Sequence, residues 1–188
     1  MSKNYYSLGL MSGTSGDGVD ASLINSDGET NYKVEINKYF GYENNFSQKI
    51  HSLKDKINTV TDLETYSTEL KALDKELTIF HSKVVMDIVK NIKIKIDFVG
   101  FHGQTIFHDP SKKTSKQIGD GKLLSQLTQK TVVYNFRQKD IQNGGEGAPL
   151  APIFHKALVK QIKIELPVCI LNIGGISNIT ILGDYEQN

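Results

Sequence analysis

Glycine and proline are absent from the stretch between Tyr42 and Val99, whereas all 16 glycines and all four prolines lie on either side of it. These two residue types interrupt helices and reverse the chain direction more strongly than any others. The middle of the chain is therefore predicted to form long helices. The two flanking parts are predicted to hold the strands, the turns and any functional site.

The part before this stretch is predicted to be an antiparallel meander. Strand-like apolar patterns cover 5–11, 19–25 and 32–40. A glycine-rich turn over 13–18 separates the first two strands, and the run Asn25–Gly28 is a tight hairpin signal before the third.

The middle stretch is predicted to contain two helices, the first marked by apolar residues over 46–57. Thr61 and Glu64 match a capping box, in which a hydroxyl and a carboxylate each accept an orphan backbone N–H. The second helix is therefore predicted over about 61–90. Its apolar residues recur at spacings of three and four, which favours packing on a sheet over a heptad-like dimer seam.

The last part alternates between strands and helices. Strands are predicted over 97–101, 131–136 and 168–172, helices over 120–129 and 148–160, a lysine-rich loop over 111–116 and a hairpin over 173–182. Pro149 is expected to open the helix that it precedes. Such alternation after an antiparallel meander predicts an α/β fold, with a mixed sheet of antiparallel and parallel strands and flanking helices.

Composition excludes several classes of function. The 22 basic and 21 acidic side chains leave a net charge of +1, so there is no broad positive field to attract nucleic acid or an anionic membrane. A single cysteine excludes an internal disulfide framework. The sequence shows neither a signal peptide nor an apolar run of membrane-spanning length. We expect a soluble cytoplasmic protein that binds neither nucleic acid nor membrane.

The glycine-rich segment over 9–20 is the first candidate site. Its glycines would let backbone N–H groups point at a phosphate, and Asp17 or Asp20 could hold Mg²⁺ through water. The segment lacks the Gly-Lys-Ser/Thr ending of a Walker A loop. A hairpin turn that needs glycine only for its backbone angles is an equally good interpretation of these residues.

A second candidate lies just past the strand predicted to end at residue 101. Polar residues at strand ends build the sites of α/β sheets, and His102 and Gln104 can hydrogen-bond sugar hydroxyls. The alternative for His102 is a hydrogen bond to a neighbouring carbonyl. His108 and Asp109 follow, but no further ligand stands at metal-binding spacing.

The third candidate holds Arg137, the only arginine of the sequence, and Asp140 in a glycine-rich loop. A guanidinium is a planar charged fork for phosphate or carboxylate, and a carboxylate in such a loop can act as a general base. The alternative is a surface ion pair of little energetic value. A fourth candidate is the turn at Gly174 and Gly175, whose backbone could approach a phosphate closely.

Six motifs, in this order, resemble those of anhydro-N-acetylmuramic acid kinases, members of the sugar kinase/Hsp70/actin superfamily. They are GLMSGTSGDGVD over 9–20, HGQT over 102–105, QIGDG over 117–121, FRQKD over 136–140, GGEGAPL over 144–150 and LNIGGI over 171–176. The resemblance covers nearly the whole chain. It implies an actin-like or ribonuclease H-like ATPase lobe, with ATP in a cleft between two lobes.

The resemblance also implies a reaction and a role for each candidate residue. Nucleotide phosphates are bound by Gly13, Thr14, Ser15, Gly16, Asp17, Gly18, Val19 and Asp20 in one hairpin and by Gly174 and Gly175 in another. Asp140 is the catalytic base, and His102, Gln104 and Arg137 contact the substrate. With ATP and Mg²⁺, the family phosphorylates 1,6-anhydro-N-acetylmuramic acid at O6 while water opens the anhydro bridge, which serves peptidoglycan recycling.

Three positions depart from the family pattern. Gly16 replaces a larger apolar residue, Asn135 stands where aspartate is usual, and Glu146 stands where glutamine is usual. None of these changes removes Asp140.

The length bears on the domain organisation, because members of this family are about twice as long. Residues 1–188 are expected to be the N-terminal lobe of a two-lobe kinase, without the second lobe and its adenosine pocket. The expected partners are ATP, the amino sugar, and a second-lobe chain or a second copy of this chain. The alternative function is an inactive or split-gene lobe that binds sugar, nucleotide or a partner chain without turnover.

Overall fold

The computed structural model describes residues 3–173 and 177–183. Eight strands and six α-helices lie within them. The strands are β1 Tyr5–Ser12, β2 Gly18–Ser26, β3 Tyr32–Gly41, β4 Phe98–Asp109, β5 Thr114–Ile118, β6 Val132–Tyr134, β7 Val168–Asn172 and β8 Asn178–Leu182. The helices are α1 Asn44–Lys56, α2 Val60–Thr65, α3 Ser67–Lys90, α4 Gly121–Thr128, α5 Gln138–Gln142 and α6 Pro152–Ile162.

Six strands form one mixed sheet in the order β3-β2-β1-β4-β5, with β6 also paired to β4. The first three strands run antiparallel to one another, whereas β4 runs parallel to β1 and β6 and antiparallel to β5. The predicted α/β class, the antiparallel meander and the mixed sheet are therefore confirmed. The arrangement is consistent with an actin-like ATPase lobe.

The core lies between one face of this sheet and the helices α1, α3 and α4. Leu8, Leu23 and Phe101 project from the strands into this core and are almost fully buried. The apolar stripe of α3 packs against them, with Leu77 completely buried. Each such side chain stabilises the fold by about 1.5–3 kcal/mol. The stripe on α3 is thus used for packing within the chain, as the preferred interpretation of its spacing predicted.

The helix predicted over 61–90 differs from the structure at its start. The capping residue is Thr59, whose hydroxyl accepts the Asp62 N–H, while the Asp62 carboxylate accepts the Thr59 N–H at 2.7 Å. Tyr66 then separates α2 from α3, although the Leu70 N–H still bonds the Tyr66 carbonyl and keeps the two helices nearly continuous. The capping box predicted at Thr61 and Glu64 is wrong, because Thr59 and Asp62 form the same reciprocal pair one half-turn earlier.

Three predictions about the second half of the chain are also wrong. β4 continues to Asp109, so the HGQT segment lies inside a strand and does not follow one. The predicted loop over 111–116 is a 3₁₀ turn over Pro110–Lys112 followed by β5, because β4 has a hairpin partner there. The last helix is α6, which Pro152 opens in place of Pro149.

The last part of the described chain contains α6 and a separate two-stranded sheet of β7 and β8. The His155 ring on α6 hydrogen-bonds the Thr180 hydroxyl at 2.9 Å, so one face of the small sheet packs on this helix. The other face is open, and Ile179 and Ile181 are 57% and 69% exposed. α6 in turn contacts β3 of the large sheet, where the rings of Tyr32 and Phe154 lie 5.0 Å apart. None of the described helices is long and apolar enough to cross a membrane.

Candidate active site

The glycine-rich turn between β1 and β2 has its carbonyl groups tied to the protein framework. The Gly13 carbonyl accepts hydrogen bonds from the Gly16 N–H at 3.0 Å and from the Gln104 amide at 2.9 Å. The Gly16 carbonyl accepts the Ser47 hydroxyl of α1 at 2.7 Å. The turn is therefore held from two sides, by β4 and by α1.

Two further carbonyls of the turn also have partners, whereas two of its amides have none among the described residues. The Asp17 carbonyl accepts the Tyr42 N–H at 2.8 Å, and the Thr14 carbonyl lies 3.4 Å from the Lys54 ammonium. The N–H groups of Thr14 and Ser15 donate no hydrogen bond within the described residues. Two neighbouring free amides in a turn whose Gly13, Thr14, Gly16 and Asp17 carbonyls have partners are donors suited to an anion.

Two glycines of this turn are required by its geometry. Gly16 has φ +57°, a conformation that residues with a side chain adopt at a cost. A Cβ on Gly18 would lie 2.5 Å from the Phe40 carbonyl oxygen and from the Tyr39 hydroxyl. The alternative interpretation, a hairpin that needs glycine for its backbone angles, is therefore confirmed for Gly16, and it is compatible with anion binding.

Gln104 is completely buried and belongs to a polar network beneath the turn. Its amide oxygen accepts the Ser12 hydroxyl at 2.5 Å, and Ser12 in turn accepts the Tyr42 hydroxyl at 2.9 Å. Burial raises the pKa of Tyr42, so this phenol remains a donor. The sequence analysis predicts that Gln104 contacts the substrate. In the structure its amide oxygen and nitrogen bond Ser12 and Gly13 instead.

A bulge in β4 separates the core-facing and site-facing residues of this strand. Leu10 of β1 pairs with Phe101 and Ser12 pairs with Gln104, so β4 has one residue more than β1 over this interval. Gly103 makes the bulge possible, since it has φ +70° and a Cβ there would collide with the Ile118 carbonyl oxygen. Phe101 and Gln104 are both buried as a result, and His102 lies on the other side of the strand.

His102 and Arg137 are brought together as a hydrogen-bonded pair. The Arg137 Nε–H donates to His102 Nε2 at 2.9 Å, and His102 Nδ1 lies 2.8 Å from the Gly103 carbonyl oxygen. Burial lowers the pKa of His102, and the neighbouring guanidinium lowers it further. The alternative of a histidine bonded to a neighbouring carbonyl is therefore confirmed.

Asp140 lies on the short helix α5 and not in a loop, contrary to the prediction. Its Oδ2 accepts the Gly147 N–H at 2.7 Å. Gly145 lies so close to the carboxylate that a Cβ there would collide with it. The other anchor is Ile141, which is buried next to the exposed Asp140. The carboxylate is thus at the surface in a fixed position, as a general base requires.

A cavity of about 280 Å³ opens beside His102. It is lined by residues from β4, β5, β6, the segment before α5 and the first residue of α5, among them Lys116, Gln117, Asn135 and Gln138. Asn135 has φ +61°, which asparagine tolerates better than most residues with a side chain. The cavity offers amide and ammonium groups that suit a polar ligand with hydroxyl and carbonyl groups.

The carboxylates near the turn suit Mg²⁺ only if phosphate oxygens and water complete its coordination. The described residues contain no group of three or more histidine, cysteine, aspartate or glutamate side chains that could hold a metal ion. Asp17 and Asp20 are exposed, and the Asp17 carboxylate accepts the Ser15 hydroxyl at 2.8 Å. Mg²⁺ characteristically takes one or two carboxylates together with phosphate oxygens and water, so these two residues fit it.

Part of the predicted site lies outside the described residues, and two contacts of the glycine-rich turn were not predicted from the sequence. The turn at Gly174 and Gly175 lies outside the described residues. Ser47 and Lys54 were missed, although both contact the first turn from α1. Their spacing of seven places them on one face of a helix, which is the sequence signal that could have identified them.

Comparison with known proteins places these residues in a family context. The family model described as anhydro-N-acetylmuramic acid kinase matches residues 5–187. The chain is 58% identical to the anhydro-N-acetylmuramic acid kinase of Pelagibacter ubique over 182 residues, which are 97% of this chain and 48% of that protein. Proteins of the same name from Gluconobacter oxydans and Acidiphilium cryptum are each 42% identical, over 97% and 95% of this chain and 50% and 47% of their own lengths. The chain thus spans about half the length of these relatives.

Proposed function

The chain belongs to the anhydro-N-acetylmuramic acid kinase family, and on that premise we propose that it is the N-terminal lobe of a kinase for 1,6-anhydro-N-acetylmuramic acid. The observation that carries this proposal is the course of β4. Gln104 fixes the glycine-rich turn, and His102, two residues earlier, contacts the arginine that leads into α5. One strand thereby supports a turn suited to phosphate and a segment that presents a carboxylate.

The turn supports binding of the ATP phosphates. The free amides of Thr14 and Ser15, the hydroxyl of Thr14 and the nearby Lys54 ammonium offer donors and positive charge to an anion. In the chemistry of kinases, Mg²⁺ offsets the charge on the phosphates, and Asp17 or Asp20 would hold it through water. Gly174 and Gly175 are proposed, from the family motif, to complete the phosphate site.

Asp140 is proposed to be the general base. Its carboxylate takes a proton from a water molecule, whose oxygen attacks the anomeric carbon of the sugar. The bond from that carbon to O6 breaks, and O6 attacks the γ-phosphorus of ATP, with ADP as the leaving group. No general acid is needed, because phosphoryl transfer consumes the negative charge on O6.

The cavity beside His102 is proposed to hold the sugar. The Lys116 ammonium and the Gln117 and Gln138 amides line it and can contact carboxylate, carbonyl and hydroxyl groups. Of the substrate contacts predicted from the sequence, His102 borders this cavity and Arg137 donates to His102. Gln104 acts through the turn that it anchors. The product, N-acetylmuramic acid 6-phosphate, would enter peptidoglycan recycling.

The proposed partners follow from the size of the relatives. A second lobe would supply the adenosine pocket, and the exposed face of β7 and β8 with Ile179 and Ile181 is apolar surface available to it. The alternative, a lobe that binds without turnover, remains a rival that the assay below distinguishes.

The test is a phosphorylation assay with Mg-ATP and 1,6-anhydro-N-acetylmuramic acid. The chain is assayed alone and after addition of the half of the Pelagibacter ubique relative that it does not match. We expect N-acetylmuramic acid 6-phosphate in at least one of these mixtures, and we expect Asp140→Asn to reduce turnover by about 100-fold or more. No product in either mixture, from samples with normal circular dichroism spectra, would contradict the proposal.

Asp55→Asn is the matched control for this assay. Asp55 is exposed on α1, and its carboxylate makes no hydrogen bond or ion pair within the described part of the chain. The same loss of charge at this position is expected to leave turnover unchanged. Equal activity of Asp140→Asn and Asp55→Asn would remove Asp140 from the mechanism while leaving the kinase activity in place.

A further inference from the structure

A chain of four hydrogen bonds connects the bulge of β4 to the carboxylate of Asp140. His102 Nδ1 lies 2.8 Å from the Gly103 carbonyl oxygen, and His102 Nε2 lies 2.9 Å from Arg137 Nε. Arg137 Nη1 donates to the Gly147 carbonyl at 2.7 Å. The Gly147 N–H donates to Asp140 Oδ2 at 2.7 Å. The route joins three segments of the chain, namely β4, the start of α5 and Gly147, through side chains and the N–H and carbonyl of Gly147.

The directions of these bonds require one protonation state of His102. A carbonyl oxygen can only accept, so the Nδ1 that faces Gly103 must carry a proton. An arginine Nε–H can only donate, so the Nε2 that faces Arg137 must have a free lone pair. Both conditions hold only in the neutral ring with its proton on Nδ1. The buried position beside a guanidinium stabilises that neutral form.

Because His102 Nε2 holds Arg137 in place, the Arg137 guanidinium in turn fixes the position of Gly147. Its guanidinium is rigid and planar, so holding Nε on His102 also orients Nη1 towards the Gly147 carbonyl. Gly147 has φ +66°, and a Cβ there would lie 2.7 Å from the Ile141 side chain, so its peptide is packed tightly against α5. The N–H of the same residue then meets Asp140, and little freedom is left for the carboxylate.

We propose that His102 is a positioning residue, which accepts the Arg137 Nε–H and, through Arg137 and Gly147, holds the Asp140 carboxylate in its orientation. The function of that orientation rests on the proposed role of Asp140 as a base. The network itself does not, since it consists of contacts within the chain. His102 therefore differs from a sugar contact, whose loss would leave Arg137 and Gly147 in place.

Nuclear magnetic resonance of the 188-residue chain tests the proposal without any assay of activity. Because Arg137 is the only arginine, its Nε–H signal needs no assignment against others. The first measurement is on the unchanged chain at pH 7, where the ring nitrogen shifts of His102 report its tautomer. We expect a proton on Nδ1 and an accepting Nε2. A proton on Nε2, or a doubly protonated ring, would overturn the proposal without the need for any variant.

Two variants of His102 then separate the Arg137 contact from the presence of a polar side chain. In His102→Gln the amide oxygen reaches about as far as Nε2 and can accept the Arg137 Nε–H. In His102→Asn the shorter amide reaches only as far as Nδ1, so it can keep the bond to Gly103 but not the one to Arg137. The backbone spectrum of each variant reports whether its fold is intact.

The expected result is a difference between the two variants. His102→Asn should raise the hydrogen-exchange rates of the Arg137 Nε–H and the Gly147 amide by about tenfold, because a charge-assisted hydrogen bond is lost. His102→Gln should remain closer to the unchanged chain. Equal exchange in the two variants would overturn the proposal. If the His102 tautomer and the exchange rates are as expected but no phosphorylation occurs, the result counts only against the role of Asp140 as a base. Failure of this proposal can therefore be distinguished from failure of the proposed function.

Discussion

Burial of His81 makes the stability of this chain depend on pH between about pH 4 and 6.5. The imidazole is 0% exposed, its Nδ1 lies 2.9 Å from the Leu77 carbonyl oxygen, and its Nε2 has no hydrogen-bond partner among the described residues. Its ring packs edge-on against Phe101 at 4.9 Å between centroids. Burial lowers the pKa of His81 from 6.5 to about 4, against the smaller opposing effect of the Leu77 carbonyl.

The sign of the effect follows from which state binds the proton. The unfolded chain protonates this histidine below about pH 6.5, whereas the folded chain resists protonation down to about pH 4. Protons therefore favour the unfolded state between these values. The free energy of unfolding should be unaffected by this group above pH 6.5 and should fall by about 1.4 kcal/mol per pH unit below it, to a total of about 3 kcal/mol at pH 4. His102, whose pKa is also lowered, acts in the same direction.

The assay is urea unfolding followed by circular dichroism between pH 4 and 7.5. In His81→Leu the free energy of unfolding should fall less steeply between pH 4 and 6.5. The slope should decrease by about 1.4 kcal/mol per pH unit, the value for one proton, because the group that the unfolded chain protonates is gone. His51→Leu removes an exposed imidazole and serves as the control for the loss of a histidine as such. An unfolding free energy that declines with the same slope in His81→Leu and in the unchanged chain would refute the argument.

Two further predictions concern β4. Gln104→Ala should lower the free energy of unfolding by about 3 kcal/mol, because it opens a cavity and leaves the buried Ser12 hydroxyl and the Gly13 carbonyl without this partner. Urea unfolding measures this loss. The control Gln126→Ala, on the exposed side of α4, should change the free energy of unfolding little. Gly103→Ala should cost more than the 1–2 kcal/mol or so of a left-handed backbone alone, since its Cβ meets the Ile118 carbonyl oxygen. Gly28→Ala, at φ +79° with open space around it, isolates the backbone part, and an equal loss in both variants would contradict the predicted collision.

The meander and the main helices could be predicted because each is marked by strong local signals. Glycine and proline punctuate the flanks, and the repeat of apolar residues along α3 extends over several turns. The start of α2 could not be located, because Thr59 with Asp62 and Thr61 with Glu64 offer two overlapping capping pairs. Choosing between them depends on where the chain leaves α1, which is a tertiary property.

The segments of the candidate site could be identified from the sequence, but the contacts between them could not. The motifs identified the glycine-rich turn, His102, Arg137 and Asp140, all of which the described structure contains. The burial of Gln104 and the hydrogen bond between His102 and Arg137 depend on the β4 bulge, and a period-two pattern cannot locate such a bulge. Helix α5 is only five residues long, too short for a periodic signal.

The bulge at Gly103 shifts the phase of β4. Before it, the buried side chains stand at odd positions, as Val99 and Phe101 do, and after it they stand at even positions, as Gln104 and Ile106 do. Deletion of this single glycine would remove the extra residue, so the buried positions would follow one regular alternation and Gln104 and Ile106 would keep their face of the sheet. A one-residue gap aligned here between two homologues would therefore mark loss of the bulge with the faces of the strand unchanged, whereas a strand that keeps the residue but loses the bulge would turn its whole outer half over.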